Sequence, residues 1–174
     1  MTTSLVLTLI GPDRPGLVEL LSQTVVAHQG NWVESRMARL SGQFAGILRV
    51  ELPTAQAGAF TSACEALRTV GLGVVVAPSN AVAEAFPRRQ LLLEVIGHDR
   101  PGIVREVAQL LASRNVNVEE LITGVESAPM SADLLFRAKA RLAVPEGLSQ
   151  DDLARLLEPI GNELMVDIAL AEAT

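Results

Sequence analysis

One eight-residue motif occurs twice in this chain, and its two copies are separated by a constant offset. The first copy, GPDRPGLV, spans residues 11–18, and the second, GHDRPGIV, spans residues 97–104. The same offset of 86 positions pairs Gln23 with Gln109 and Glu34 with Glu120 without a gap. A repeat this long within 174 residues indicates two copies of one domain rather than a solenoid of short repeats.

The order of apolar patterns predicts the fold class of each copy. A buried strand over Leu5–Ile10 is followed by a helix-period segment, and alternating residues over 31–52 predict a hairpin that turns at Ser41-Gly42-Gln43. A second helix, which Gly71 ends, precedes a fourth strand. This order is the ferredoxin-like βαββαβ unit, an α+β fold with an antiparallel sheet and both helices on one face.

Helix signals are placed at similar points in both copies. Gly30 is predicted to end the first helix as a left-handed cap. In the second copy, Ser149 and Asp152 resemble a capping box, and Gly161 is predicted to stop the final helix. We therefore expect one ferredoxin-like domain over residues 1–77, a linker over 78–89 and a second domain over 90–174.

Composition limits the classes of function. The net charge is -6 and aromatic residues make up only 3%, which disfavours direct binding of nucleic acid through a basic or base-stacking surface. A single cysteine excludes an internal disulfide, and two isolated histidines make no evident metal site, so no cofactor or metal is predicted. The N-terminus lacks a signal-peptide pattern, and we expect a cytoplasmic protein without a membrane span.

Domain size and apolar content bear on assembly. Domains of about 80 residues have marginal cores, and the mean hydropathy is +0.33. We expect the two copies to pack against each other or against another chain, and the protein to form a homodimer.

The repeated Asp-Arg-Pro-Gly segment supports two interpretations. As a helix start, proline sets the first turn and aspartate compensates the positive end of the helix. As a ligand site, free N–H groups at the helix start hold a carboxylate, and the aspartate accepts hydrogen bonds from an ammonium group. Because the tetrapeptide recurs while the flanking helix surface has diverged, we favour a ligand role in at least one copy. Asn31 and Asn117, at the second-strand starts, are candidates to complete the site.

These residues resemble the ACT domain, a small regulatory module that binds amino acids. The resemblance rests on Asp-x-Pro-Gly after the first strand, an apolar helix, and an asparagine at the second-strand start. Two units together with the segments 31–36 (NWVESR) and 41–44 (SGQF) are similar, more narrowly, to the glycine cleavage system transcriptional repressor group. The resemblance implies a non-catalytic sensor of a small amino acid of the glycine or serine type. It also implies a transcription regulator protein as partner and no direct contact with DNA. The ligand-contact candidates that it implies are Gly11, Asp13, Gly16, Leu17 and Asn31 in the first copy and Gly97, Asp99, Gly102, Ile103 and Asn117 in the second. Related serine-binding domains often have asparagine where this chain has Asp13 and Asp99.

Other functions remain open on residue chemistry alone. An acylphosphatase-like enzyme would use Arg14 to hold phosphate and Asn31 to position water, although Asp13 would repel the phosphate. A single-stranded RNA binder would need aromatic residues on the central strands, and the segments 5–10 and 91–96 contain none. A ligand-free protein-interaction module is a third alternative. Arg137, Lys139 and Arg141 alternate along one strand, which favours a solvated sheet face over a contact patch for an acidic partner surface or for nucleic acid.

Overall fold

A computed structural model describes residues 1–79, 88–127 and 133–173, and the chain divides into two compact units, Met1–Val82 and Ala83–Thr174. Unit 1 contains β1 (Thr2–Pro12), α1 (Leu17–Ala27), β2 (Asn31–Leu40), β3 (Gln43–Pro53), α2 (Ala57–Ala66) and β4 (Gly73–Pro78). Unit 2 contains β5 (Arg88–His98), α3 (Ile103–Ser113), β6 (Asn117–Ser127), β7 (Leu134–Pro145), α4 (Gln150–Leu164) and β8 (Val166–Glu172). Both units therefore have the predicted strand–helix–strand–strand–helix–strand order.

Each unit forms one antiparallel sheet of four strands. The strand order is β2-β3-β1-β4 in unit 1 and β6-β7-β5-β8 in unit 2. The first and third strands of each unit are central, and the second and fourth strands form the edges. The predicted α+β fold of two tandem ferredoxin-like units is confirmed.

Alternation along the strands separates a helix-facing side of each sheet from an open side. In β1, Leu5, Leu7 and Leu9 are buried, whereas the intervening residues face away from the core. The core of unit 1 joins these leucines to Leu17, Leu21 and Val25 of α1 and to Phe60 and Cys64 of α2. The core of unit 2 is built in the same way around Leu91, Leu93 and Val95. Burial of one face of each sheet by two helices is the main stabilising contribution.

Several local predictions are confirmed by backbone geometry. Ser41 and Gly42 both have positive φ, 49° and 80°, so a two-residue turn of the kind that suits the twist of a hairpin joins β2 to β3. Gly71 has a φ of 85° after the 3₁₀ turn that follows α2. The Ser149 hydroxyl accepts a hydrogen bond from the Asp152 N–H at 3.1 Å, which caps α4.

Two predicted helix ends are wrong. α4 continues through Gly161 to Leu164, and Met165 is the left-handed cap with a φ of 53°. Gly161 is instead a packing residue, because a Cβ there would lie 3.0 Å from the carbonyl oxygen of Val166. After α1, Gln29 takes the positive φ of 56°, and a Cβ at Gly30 would come within 2.9 Å of Val25. Close approach, rather than left-handed backbone, explains both glycines.

The predicted linker falls mostly outside the described residues. Pro78 belongs to β4, and Arg88 and Arg89 begin β5, while residues 80–87 are not described. No helix of the described chain is long and apolar enough to cross a membrane.

Candidate ligand-binding site

The repeated motif forms a tight turn between the first strand and the first helix of each unit. Gly16 and Gly102 precede α1 and α3 with φ values of 92° and 101°, a backbone conformation that residues with a Cβ adopt only with strain. No side chain caps either helix, and the first intrahelical bonds are Leu20 N–H to Gly16 O and Glu106 N–H to Gly102 O. The N–H groups that precede Leu20 and Glu106 are therefore available to an anion.

The arginine of the motif has a structural role in both copies. The Arg14 guanidinium donates a hydrogen bond of 2.6 Å to the carbonyl oxygen of Val70, at the end of the 3₁₀ turn after α2. The Arg100 guanidinium donates one of 2.9 Å to the carbonyl oxygen of Glu163, near the end of α4. Each arginine thus links the turn by a hydrogen bond to the C-terminal end of the second helical segment, where the helix dipole favours a cation.

The remaining small and apolar residues of the motif are also explained by the fold. A Cβ at Gly11 would lie 2.5 Å from the carbonyl oxygen of Gly71, and one at Gly97 would lie 2.6 Å from Val166 Cγ1. Leu17 and Ile103 are core residues, exposed by only 4% and 3%. Six of the ten predicted ligand contacts therefore occupy positions that the packing or the backbone restricts.

The two aspartates of the motif differ in their surroundings. The Asp13 carboxylate forms an ion pair with Arg39 of β2, with Nε and Oδ2 2.8 Å apart, and the Asp13 N–H donates to the Gly42 carbonyl. The Asp99 N–H likewise donates to the hairpin strand, at Leu134, but its exposed carboxylate has no side-chain partner within residues 88–127 and 133–173. Position 125, which matches Arg39 at the 86-residue offset, is valine. Among the described residues, the turn of unit 2 therefore presents an unpaired carboxylate and the turn of unit 1 does not.

The asparagines lie far from the turns within each unit. Asn31 pairs with Glu51, which pairs in turn with Ser4, whereas Asp13 follows the opposite end of β1. Nine residues of extended strand separate Ser4 from Asp13, a distance of about 30 Å at about 3.3 Å per residue. Asn117 is placed in the same way, opposite Ala143 and Gln90. One unit therefore does not bring its own asparagine and aspartate together.

An apolar cavity opens beside the turn of unit 2. It has a volume of about 40 Å³ and lies between α3 and the sheet, with no polar surface in its lining. The lining includes Ile103, Val104 and Ala108 of α3, Phe136 of β7 and Leu121 of β6. Phe136 pairs with Gly97 at the start of the motif, so one end of the cavity adjoins the turn.

The corresponding edge strand of unit 1 has larger side chains that pack on the core. Trp32 and Met37 of β2 are partly buried against the core of unit 1. A Cβ at Gly46 would lie 2.5 Å from Met37 Cγ, so the glycine makes room for this methionine. At the 86-residue offset unit 2 has Val118 and Thr123. β6 is accordingly exposed along its whole length.

The cationic strand of unit 2 is neutralised by neighbouring glutamates. Arg137 contacts Glu94 at 3.1 Å and Glu126 at 3.3 Å, and Lys139 contacts Glu94 at 3.7 Å. Arg141 lies 4.0 Å from Glu120. Three cations face three carboxylates on the open side of the sheet, which gives no net positive patch for nucleic acid.

Metal-binding groupings are missing from the part of the chain that the structure describes. No group of three or more His, Cys, Asp or Glu side chains is placed to hold a metal ion there. Cys64 is buried in the core of unit 1, and desolvation, together with the neighbouring Glu65 carboxylate, raises the pKa of its thiol from 9.0 to about 11. A thiol of this kind is a poor nucleophile.

Arg39 and the cavity lining are the site features that sequence reasoning missed. Arg39 lies two residues before the hairpin turn, and the pairing of β3 with β1 places that turn next to the end of β1. The predicted fold therefore contained the signal that Arg39 and Asp13 would be close. The cavity signal was weaker, because it consists of the replacement of Trp32 by Val118 and of Met37 by Thr123.

The geometry defines a pair of ferredoxin-like units, each with a helix N-terminus presented by a glycine turn. ACT domain models match residues 3–71 and 91–138. The chain belongs to the ACT domain family, with two ACT domains in tandem.

Two solved structures are similar over the whole chain. An unknown protein from Galdieria sulphuraria is 33% identical, with a TM-score of 0.88 and complete coverage of both chains. A proposed glycine cleavage system transcriptional repressor is 18% identical, with a TM-score of 0.74, covering 100% of this chain and 99% of its own. The second likeness shows the fold alone. None of the curated proteins matches the chain.

Proposed function

We propose that this chain is a non-catalytic regulatory protein that binds a free amino acid at its ACT domains and modulates a transcription regulator by protein contact. The observation that carries the proposal is the combination of an unpaired Asp99 carboxylate and the free N–H groups at the start of α3. A negative and a positive group at one turn complement the ammonium and carboxylate groups of an α-amino acid.

The proposed pose follows from these charges. The ligand carboxylate accepts hydrogen bonds from the N–H groups of the first turn of α3, and its ammonium group donates to Asp99. The equivalent pose in unit 1 uses Asp13 and the first turn of α1. Asn31 and Asn117 lie about 30 Å from the turns of their own units, so neither asparagine contacts a ligand held at the turn of its own unit.

An enzymatic role of the acylphosphatase kind has less support. Arg14 and Arg100 donate to the backbone carbonyls of Val70 and Glu163 rather than pointing at a free phosphate position. Asn31 is distant from Arg14, so no water would be positioned beside a phosphate in that turn. A non-catalytic role agrees better with side chains whose hydrogen bonds serve the fold.

The partner proposal rests on the similarity to the proposed glycine cleavage system transcriptional repressor. Contact with DNA itself is not part of the proposal, because the net charge is -6 and the cations of β7 are ion-paired. A protein surface that changes when an amino acid binds is the simplest link between such a sensor and transcription.

Titration calorimetry of the purified chain against the twenty amino acids tests ligand binding. Each charged hydrogen bond contributes about 1.5–3 kcal/mol, so Asp99→Ala is expected to weaken a unit 2 ligand roughly tenfold or more. Asp13→Ala is the matching change in unit 1. If no amino acid binds at millimolar concentration, the repeated turn is only a helix start, and a ligand-free interaction module is the better description.

Transcript profiling tests the regulatory part of the proposal. Cells that lack the chain should show altered transcript levels of amino-acid metabolism genes, and the wild-type chain should restore them. Asp99→Ala should fail to restore the response to the added amino acid while accumulating to the same level. Full restoration by this variant would separate regulation from ligand binding.

A further inference from the structure

We propose that unit 2 is the amino-acid site of this chain and that it selects a branched aliphatic side chain of the valine and leucine class. This inference rests on the proposed function and narrows it to one copy and one class of ligand. It is carried by two differences between the units, one in charge and one in apolar packing.

The charge difference concerns the group that would receive the ligand ammonium. In unit 1 the Arg39 guanidinium already pairs with the Asp13 carboxylate at 2.8 Å. A ligand ammonium must displace this cation, whereas at Asp99 it meets an exposed carboxylate without a side-chain partner in the described chain. In unit 1, Arg39 therefore competes with a ligand ammonium for the Asp13 carboxylate. In unit 2, the matching residue is Val125, which cannot compete for Asp99.

The packing difference concerns the space beside the turn. The cavity of unit 2 has a volume of about 40 Å³ and a wholly apolar lining. A water molecule requires about 10–15 Å³ of such space. The cavity therefore accommodates about three groups of that size, which matches an isopropyl or isobutyl side chain better than a phenyl ring.

The cavity and the first turn of α3 share two residues. Ile103 and Val104 line the cavity, and their N–H groups belong to the free first turn. In the proposed pose, an amino acid whose carboxylate is bound at this turn directs its side chain past Val104 toward the cavity. An apolar side chain gains from leaving water there, while a polar one would find no hydrogen-bond partner.

The same region of unit 1 is covered by its own side chains. Trp32 and Met37 pack against the core where unit 2 has Val118 and Thr123. Trp32, Met37 and Arg39 lie on the helix-facing side of one strand, opposite Val50, Gly46 and Phe44. In unit 1, Arg39 thus pairs with the carboxylate at the turn, while Met37 and Trp32 pack against the core farther along the strand; unit 2 has smaller side chains at these three positions.

Titration of the wild-type chain with glycine, L-valine, L-leucine and L-phenylalanine tests selectivity. One methylene group in an apolar pocket changes affinity by about tenfold or more. Valine or leucine should bind at least about tenfold more tightly than glycine, and phenylalanine more weakly than leucine. Equal affinity for glycine and leucine would overturn the inference and leave the proposed function standing. Absence of binding by all four, and by the other amino acids, would overturn the proposed function itself.

Paired variants test the location. Ala108→Leu fills the cavity from α3 and should remove the preference for leucine over glycine, whereas Ser22→Leu at the matching position of unit 1 should not. Val118→Trp gives a second, independent filling of the same space. Val125→Arg should weaken all amino acids by up to about fivefold, the effect of a surface ion pair. Thermal unfolding checks that each variant is folded. Loss of binding in Asp13→Ala but not in Asp99→Ala would place the site in unit 1 and refute the proposal.

Discussion

Replacement of Gly16 by alanine tests whether the repeated glycine serves the backbone. Gly16 has a φ of 92°, and a Cβ built there meets no atom within 4 Å, so the cost of Gly16→Ala is conformational rather than steric. Left-handed backbone costs a residue with a Cβ about 1–2 kcal/mol. Reduced freedom of the unfolded chain returns about 0.4–1 kcal/mol. The expected net loss in the free energy of unfolding is therefore about 1 kcal/mol.

Gly58 supplies a matched control in the same unit. It lies in α2 with ordinary helical backbone, and a Cβ there also meets nothing within 4 Å. Gly58→Ala should raise the free energy of unfolding by about 0.5–1 kcal/mol, because glycine in a helix is unfavourable relative to alanine. The two alanine substitutions should therefore move stability in opposite directions.

Trp32 provides the assay, because it is the chain's one tryptophan and lies in β2 of unit 1. Its fluorescence during urea denaturation reports the unfolding of unit 1. If Gly16→Ala leaves the midpoint unchanged, the positive φ does not restrict this position. The glycine would then have to be explained by close approach of a ligand.

Three further predictions concern the turn, the core and the assembly. Arg100→Ala should lower the free energy of unfolding of unit 2 by about 0.5–1.5 kcal/mol, because the hydrogen bond to the Glu163 carbonyl is lost. Urea denaturation measures this change. An unchanged midpoint would mean that the hydrogen bond does not stabilise the fold and that Arg100 is available to a ligand. Burial, together with the Glu65 carboxylate, raises the pKa of the Cys64 thiol from 9.0 to about 11 in the folded chain. Stability should therefore fall as the pH rises through this range, and Cys64→Ala should reduce that part of the loss. Light scattering should show that the chain forms a dimer. Ile122→Lys, on the exposed edge strand β6, should weaken this dimer. A wild-type monomer at high micromolar concentration would contradict the prediction.

The fold was predictable because each of its signals is local. The apolar alternation, the hairpin turn at Ser41 and Gly42, and the cap at Ser149 depend on residues close in sequence, and all are found in the structure. The two wrong helix ends depend on distant neighbours. Whether Gly30 and Gly161 serve a left-handed backbone or close packing is decided by Val25 and Val50 around one and by Val166 and Ile168 around the other.

The candidate site was only partly predictable, for the same reason. The sequence located the turn and the helix start, but recurrence alone could not separate a ligand role from a fold role. The structure gives Arg14 and Arg100 carbonyl partners 56 and 63 residues away, and it places Asn31 at the opposite end of the sheet from Asp13. These relations follow from sheet register rather than from spacing within the motif.

Comparison of the two copies distinguishes residues that the fold requires from positions that differ between the units. The shared residues of the motif, Gly16 and Gly102 with Arg14 and Arg100, have structural partners or backbone requirements that are alike in both units. On the helix-facing side of β2 and β6, unit 1 has arginine beside the turn and tryptophan at the far end of the strand, and unit 2 has valine at both positions. The same sheet therefore accommodates either side chain at these positions. We infer that repetition in this chain marks the fold, and that the divergence of the edge strand sets which unit is open to a ligand.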